Sequence, residues 1–150
     1  MDLPEFIKAV KDLGLKVKLD TNGTNPEMVQ NLINEHLVDY IAMDIKTTFR
    51  KYELVGCKKT DSVIKTFNLL KEAEVQCEFR TTCPKSILKE EDFSEIARSA
   101  GSRIPWYLQI FNNSVTLDDS YSKVKSWSRE ELEIIIGSLK EVKSNIYIRG

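Results

Sequence analysis

No stretch of this 150-residue sequence approaches the ~20 consecutive apolar residues a membrane-spanning helix needs. The opening Met1-Asp2-Leu3-Pro4-Glu5 also lacks the basic-then-apolar pattern of a targeting peptide. Neither sign of charge is in excess: 22 Lys+Arg stand against 23 Asp+Glu, a formal net charge of -1, so nothing pulls the chain toward nucleic acid or an anionic membrane. Cysteine is scarce. Cys57, Cys77 and Cys83 are odd in number and form no CxxC pair, which argues against a disulfide framework and a zinc ribbon alike. The chain therefore reads as soluble and cytoplasmic, with free thiols in a reducing compartment.

The 41% hydrophobic content is enough for one core, and one domain over residues 1–150 is expected. Leu3, Phe6, Ile7, Val10 and Leu13 recur at helical spacing, with Asp2 and Glu5 placed as a cap and Gly14 as a stop. Leu15 to Asp20 alternates as a strand and runs into the turn Thr21-Asn22-Gly23. Asn25-Pro26 opens a second helix. The unit then repeats as strand 40–46, helix from about 61 to 74, strand 75–82, helix from about 90 to 100 and strand 106–111. After the polar stretch 112–126, a helix capped by Ser128 and Glu131 leads to a short strand at 146–148. Strands alternating with amphipathic helices mean parallel βα units.

One phase of the strands is apolar: Val17 and Leu19, then Ile41, Met43 and Ile45, then Val75, Cys77 and Phe79, then Trp106, Leu108 and Ile110. The other phase holds Lys18, Asp20, Tyr40, Asp44, Lys46, Gln76, Glu78, Arg80, Thr82, Tyr107, Gln109 and Phe111. A doubly wound sheet would be apolar on both faces and a packed barrel interior mostly Val, Ile and Leu. Burying so many unpartnered charges is too costly. The expected fold is an α/β open partial (β/α) barrel, with parallel strands, helices on the convex face and a polar concave face.

Ligands gather at the C-terminal ends of parallel strands, which here carry Asp20-Thr21-Asn22-Gly23, Asp44-Ile45-Lys46, Arg80-Thr81-Thr82 and Gln109 with Asn112 and Asn113. Two carboxylates, two cations and several amides and hydroxyls suit a ligand with amine, carboxylate and ribose groups, or a cation. They equally suit a self-satisfied ion-pair network. His36 lies beside the stripe Val29, Leu32, Ile33 and Leu37 and is expected to pack partly in the core. Cys77 is expected to pack as a small hydrophobe and Cys83 to be a loop thiol.

The segments LPEFIKAVKDLGLKVKLDTNGTNP, VDYIAMDIKTTFRKY, EFRTTCP, YLQIF and NIYIRG together resemble the radical S-adenosylmethionine (SAM) activating proteins of anaerobic ribonucleotide reductase. They are similar, more distantly, to pyruvate formate-lyase activating enzyme. The resemblance covers essentially the whole chain. It implies a partial barrel that holds a [4Fe-4S] cluster, cleaves SAM reductively to a 5′-deoxyadenosyl radical and takes a hydrogen from a glycine of a partner glycyl radical enzyme. It implies further that Asp20, Asn22, Lys46 and Arg80 line a SAM pocket, and that Asp20, Thr21, Met43 and Asp44 surround a monovalent cation.

The family's CxxxCxxC loop is not in this sequence. The chain is therefore expected to be the C-terminal portion of such an activase, lacking the N-terminal βα units. On that expectation it is inactive alone, holds no catalytic residue and binds no cluster, and it self-associates through the exposed edge strand 15–20. The alternative is a cluster-free binding module that keeps the scaffold for SAM or partner recognition. An in-frame CxxxCxxC upstream in the natural coding sequence separates the two.

Overall fold

The computed structural model describes residues 2–114, 116 and 118–150. Five helices alternate with five strands: α1 (Leu3–Asp12), β1 (Lys18–Thr21), α2 (Pro26–Asn34), β2 (Tyr40–Asp44), α3 (Thr60–Glu72), β3 (Gln76–Thr82), α4 (Glu90–Ala100), β4 (Trp106–Gln109), α5 (Arg129–Leu139) and β5 (Ile146–Arg149). The strands form one sheet in the order β1-β2-β3-β4-β5, and the pairings β1–β2, β3–β4 and β4–β5 are parallel. No helix among the described residues is long and apolar enough to cross a membrane.

The chain divides into two compact units: the stretch up to Asp44 with Lys59–Glu78, and Ile45–Lys58 with Phe79–Gly150. In the first, α1 starts at a reciprocal capping box in which the Glu5 amide donates to Asp2 and the Asp2 amide to Glu5. The Asn25 side chain accepts from the Met28 amide at the start of α2. The apolar stripes of these helices and of α3 bury Ile7, Val29, Leu32, Val63, Phe67 and Leu70 with Ile41, Met43 and Cys77 of the strands. Each such side chain is worth about 1.5–3 kcal/mol when fully withdrawn from water.

β1 begins at Lys18 rather than Leu15. The Val17 amide is taken by the Asp39 carboxylate at 2.6 Å, and the same carboxylate holds Lys11 Nζ at 2.8 and 2.9 Å. These hydrogen bonds, that to Lys11 first, hold the Asp39 carboxyl below its ordinary range. In the polar phase, Tyr40 donates its hydroxyl to Glu78 at 3.0 Å, so the buried carboxylate is paired rather than open to water.

In the second unit, Phe93 of α4 meets the indole of Trp127 edge-on at 5.5 Å and that of Trp106 at 6.3 Å, while Trp106 Nε1 donates to Thr81 Oγ1 at 2.9 Å. A 3₁₀ helix, Phe49–Val55, which hydrophobic periodicity does not announce, is tied to α4 by charge. Lys51 Nζ donates to both oxygens of the fully buried Asp92 at 2.7 and 2.8 Å, and Asp92 also accepts the Lys89 amide. Within the polar stretch 112–126, Asp119–Lys123 forms another 3₁₀ turn and Ser126 bridges to Pro84.

Candidate functional site at the strand ends

In the first unit, Thr21 and Met43 are register partners and Asp20 lies beside Ala42. Asp20 and Asp44 thus belong to one face of two neighbouring strands, at their C-terminal ends, with Thr21 and Met43 in the other phase. The turn after Asp20 closes on itself. Thr21 Oγ1 accepts the Gly23 amide at 3.0 Å, and Asn22 Oδ1 accepts both the amide and the hydroxyl of Thr24 at 3.0 and 2.8 Å. Gly23 has φ +77°, and a Cβ there would lie 2.5 Å from Met43 Cε. Its carbonyl accepts the buried Thr66 hydroxyl at 2.7 Å. Asp20 itself is exposed and ion-paired with Lys18.

The second unit holds the two cations. The Ile45 amide donates to the Arg80 carbonyl at 2.8 Å, and the Lys46 amide donates to the Tyr52 hydroxyl at 3.2 Å. The Lys46 side chain is exposed and Arg80 half-buried. Directly after Lys46, the buried hydroxyls of Thr47 and Thr48 have no hydrogen-bond partner among the described residues. Hydropathy does not flag them, since threonine is common at strand ends, yet each leaves an unmet polar group beside a candidate residue.

One expectation is corrected and another refined. His36 does not pack in the core: it is exposed, with φ 52°. It occupies the left-handed position after α2, where its amide donates to Ile33 and the Leu37 amide to Leu32, both at 3.0 Å, a helix end usually closed by glycine. Cys83 lies just past the end of β3, in a loop as expected, yet it is not accessible. It is fully buried, its Sγ lies 3.3 Å from the Thr81 carbonyl, and burial pushes the thiol up to about 12. Cys77 is buried, as its strand phase implies, and Cys57 is partly exposed.

Among the described residues no group of three or more His, Cys, Asp or Glu is placed to hold a metal ion. Cys57, Cys77 and Cys83 are therefore not grouped as ligands among the described residues. A hollow of about 770 Å³ in the first unit, lined by Lys16, His36, Asp39, Glu74 and Gln76 among others, sits at the N-terminal ends of the strands, away from these candidate side chains.

No family model matches the chain. It is homologous to a protein of Methanocaldococcus jannaschii named "Putative glycyl-radical enzyme activating enzyme", with 32% identity over 97% of this chain. It spans 63% of that protein's length. Its fold matches a crystal structure of a domain of pyruvate-formate lyase-activating enzyme from Bacteroides vulgatus, with a TM-score of 0.78 and 17% identity, covering 99% of this chain and 89% of the other. The α/β fold with its five-stranded sheet is thus like that of the pyruvate-formate lyase-activating enzyme domain.

Proposed function

We propose that this chain forms, as one domain, the C-terminal part of a radical SAM activase for a glycyl radical enzyme of the anaerobic ribonucleotide reductase or formate-lyase type, working in the cytoplasm. In this reading Asp20, Asn22, Lys46 and Arg80 contact SAM. Asp20 and Asp44, with main-chain oxygen at Thr21 and Met43, hold a monovalent cation. The observation that carries the reading is the identity to the Methanocaldococcus protein along nearly the whole chain.

The residues are suited to the task. Asp20, Asn22 and Lys46 are exposed, and a carboxylate and an amide complement an amine and a ribose, while a cation complements a carboxylate. The [4Fe-4S] chemistry of the family needs clustered thiolates, which Cys57, Cys77 and Cys83 do not supply. The same cysteines favour, as a second reading, a cluster-free module that binds SAM or the partner without cleaving it. Self-association through the β1 edge belongs to both readings.

The test is calorimetric titration of the chain with SAM in potassium and in choline buffers. Binding that weakens at least about ten-fold in Asp20→Ala and Arg80→Ala, with the fold intact by circular dichroism, supports the pocket. Binding unaffected by either substitution refutes it. Anaerobic reconstitution with iron and sulfide is expected to give no stoichiometric iron and no 5′-deoxyadenosine, and production of that nucleoside would mean that these cysteines do hold a cluster.

A further inference from the structure

The hollow of about 770 Å³ at the N-terminal ends of the strands lies wholly within the first unit. The three successive helix-to-strand connections of that unit wall it, with Lys16 from the first, His36 and Asp39 from the second and Glu74 from the third. Its size falls in the range of about 300–1,000 Å³ of sites that take small molecules. Residues at this end of parallel strands ordinarily serve stability, yet several of these support nothing in the fold.

Charges that can meet in this region do so. Lys11 and Asp39 pair at 2.8 and 2.9 Å, and the same carboxylate takes the Val17 amide, so Asp39 is already satisfied. Lys16 adds only a through-space pull on it. Lys16 and Glu74 are the charges left over: both are exposed and line the hollow, and neither side chain forms a hydrogen bond or ion pair among the described residues. A cation and an anion of one hollow that do not reach each other suit a ligand carrying both signs. His36 is left over as well. Its φ of 52° is one that glycine adopts at less cost, and its exposed ring has no partner among the described residues. A strained position that the packing does not require points to a use for the side chain.

We propose that this hollow is a binding site, separate from the strand-end candidates, for a short peptide with free termini and an apolar side chain. Lys16 holds its terminal carboxylate and Glu74 its terminal ammonium. The apolar side chain lies against Ile33, Val38 and Val75, which also line the hollow. The His36 ring and the Gln76 amide, each with donor and acceptor capacity, bond to the peptide groups. A single amino acid would leave those neutral groups idle. A nucleotide phosphate would bring about two negative charges to a hollow with one unpaired cation and an unpaired carboxylate. The site does not depend on SAM being the ligand of Asp20.

The experiment is a nuclear magnetic resonance titration of the 150-residue chain with leucyl-glycyl-glycine, with its N-acetylated and C-amidated forms, and with adenosine monophosphate. The free tripeptide is expected to bind and to shift the amides of residues 33–39 and 74–76, and blocking either terminus to weaken it about ten-fold. Lys16→Met should weaken the free tripeptide as much and abolish the effect of amidation, and Glu74→Gln should do the same for acetylation. His36→Gly relieves the backbone and keeps the fold, so a loss of affinity in that variant reports the ring itself, which a purely structural histidine would not give. Asp20→Ala should leave the tripeptide unaffected, which separates failure of this site from failure of the SAM pocket. No shift with the tripeptide, equal binding of its blocked forms, affinity that Lys16→Met, Glu74→Gln and His36→Gly leave intact, or preference for adenosine monophosphate overturns the proposal.

Discussion

Lys143 is almost wholly buried, and its ammonium is held by three oxygens: the carbonyls of Gly101 and Ile104 and the side chain of Asn145, at 2.5–2.8 Å. It ties the connection between α4 and β4 to the connection between α5 and β5. Lys143→Met keeps the aliphatic stem and removes the charge. Three acceptors left unpaired cost about 1–3 kcal/mol each. The methionine recovers the desolvation of a buried ammonium, which the fall of Lys143 from 10.5 to about 8 puts at roughly 3 kcal/mol. The acceptors win, and a net loss of about 3 kcal/mol is expected, a fall of roughly 10 °C in the unfolding temperature for a chain of this length. Urea denaturation followed by circular dichroism measures it. A change within about 0.5 kcal/mol, the range of ordinary surface substitutions, would refute the assignment.

The same group gives a signed pH dependence. Burial lowers the Lys143 pKa on folding. Below about pH 8 both states hold the proton. Between about 8 and 10.5 the unfolded chain holds it and the folded chain releases it, so the unfolded state binds more protons and this contribution rises with pH, by at most about 1.4 kcal/mol per unit. Other lysines and tyrosines titrate nearby, but they are common to both proteins. The stability of the wild type minus that of Lys143→Met should therefore widen across this window, and a flat difference would mean that Lys143 keeps its charge in the fold.

Gly23→Ala puts a side chain at φ +77° with its Cβ against the buried Met43, and a loss of about 1–3 kcal/mol in a urea titration is expected. An unchanged midpoint would mean that the turn relaxes freely. At His36 the sign reverses: with φ 52° and an exposed side chain, His36→Gly should stabilise the fold by about 1 kcal/mol. A thermal melt without a gain would place another restraint on that histidine.

The regular parts of this fold are legible because several signals agree at each of them. Asp2 with Glu5, and Ser128 with Glu131, announce helix starts that the structure realises as reciprocal capping boxes, and the periodicity from Glu90 to Ala100 matches α4 at both ends. Strand phase separates Cys77 from Glu78 correctly in direction, but the burial of Glu78 depends on Tyr40, a partner 38 residues away. The burial of Cys83 is hidden for the same reason. Just past the end of β3, its amide donates to the Gln109 carbonyl, and the Trp127 amide donates to its carbonyl. His36 misleads because helical spacing runs past the point where the backbone turns left-handed, and a histidine stands where a glycine would have marked the stop.

The turn at the end of β1 shows why a motif can carry both fold and candidate chemistry. Thr21 and Asn22 spend side-chain oxygens on the turn itself, and Gly23 is required by its dihedral angle and by the space Met43 fills. These three residues have sufficient structural reasons to be what they are. Asp20 does not: an exposed strand position neither needs nor favours a carboxylate, and its ion pair with the neighbouring Lys18 is of the surface kind worth at most about 1 kcal/mol. Asp20 is therefore the residue of this strand end that the turn leaves unexplained, and the SAM reading supplies a reason for it. The two demands on it can be told apart, because a surface pair with Lys18 asks only for charge of the right sign at position 20. A SAM amine or a cation asks for oxygen at a fixed distance. Glutamate at position 20 would preserve the first and disturb the second.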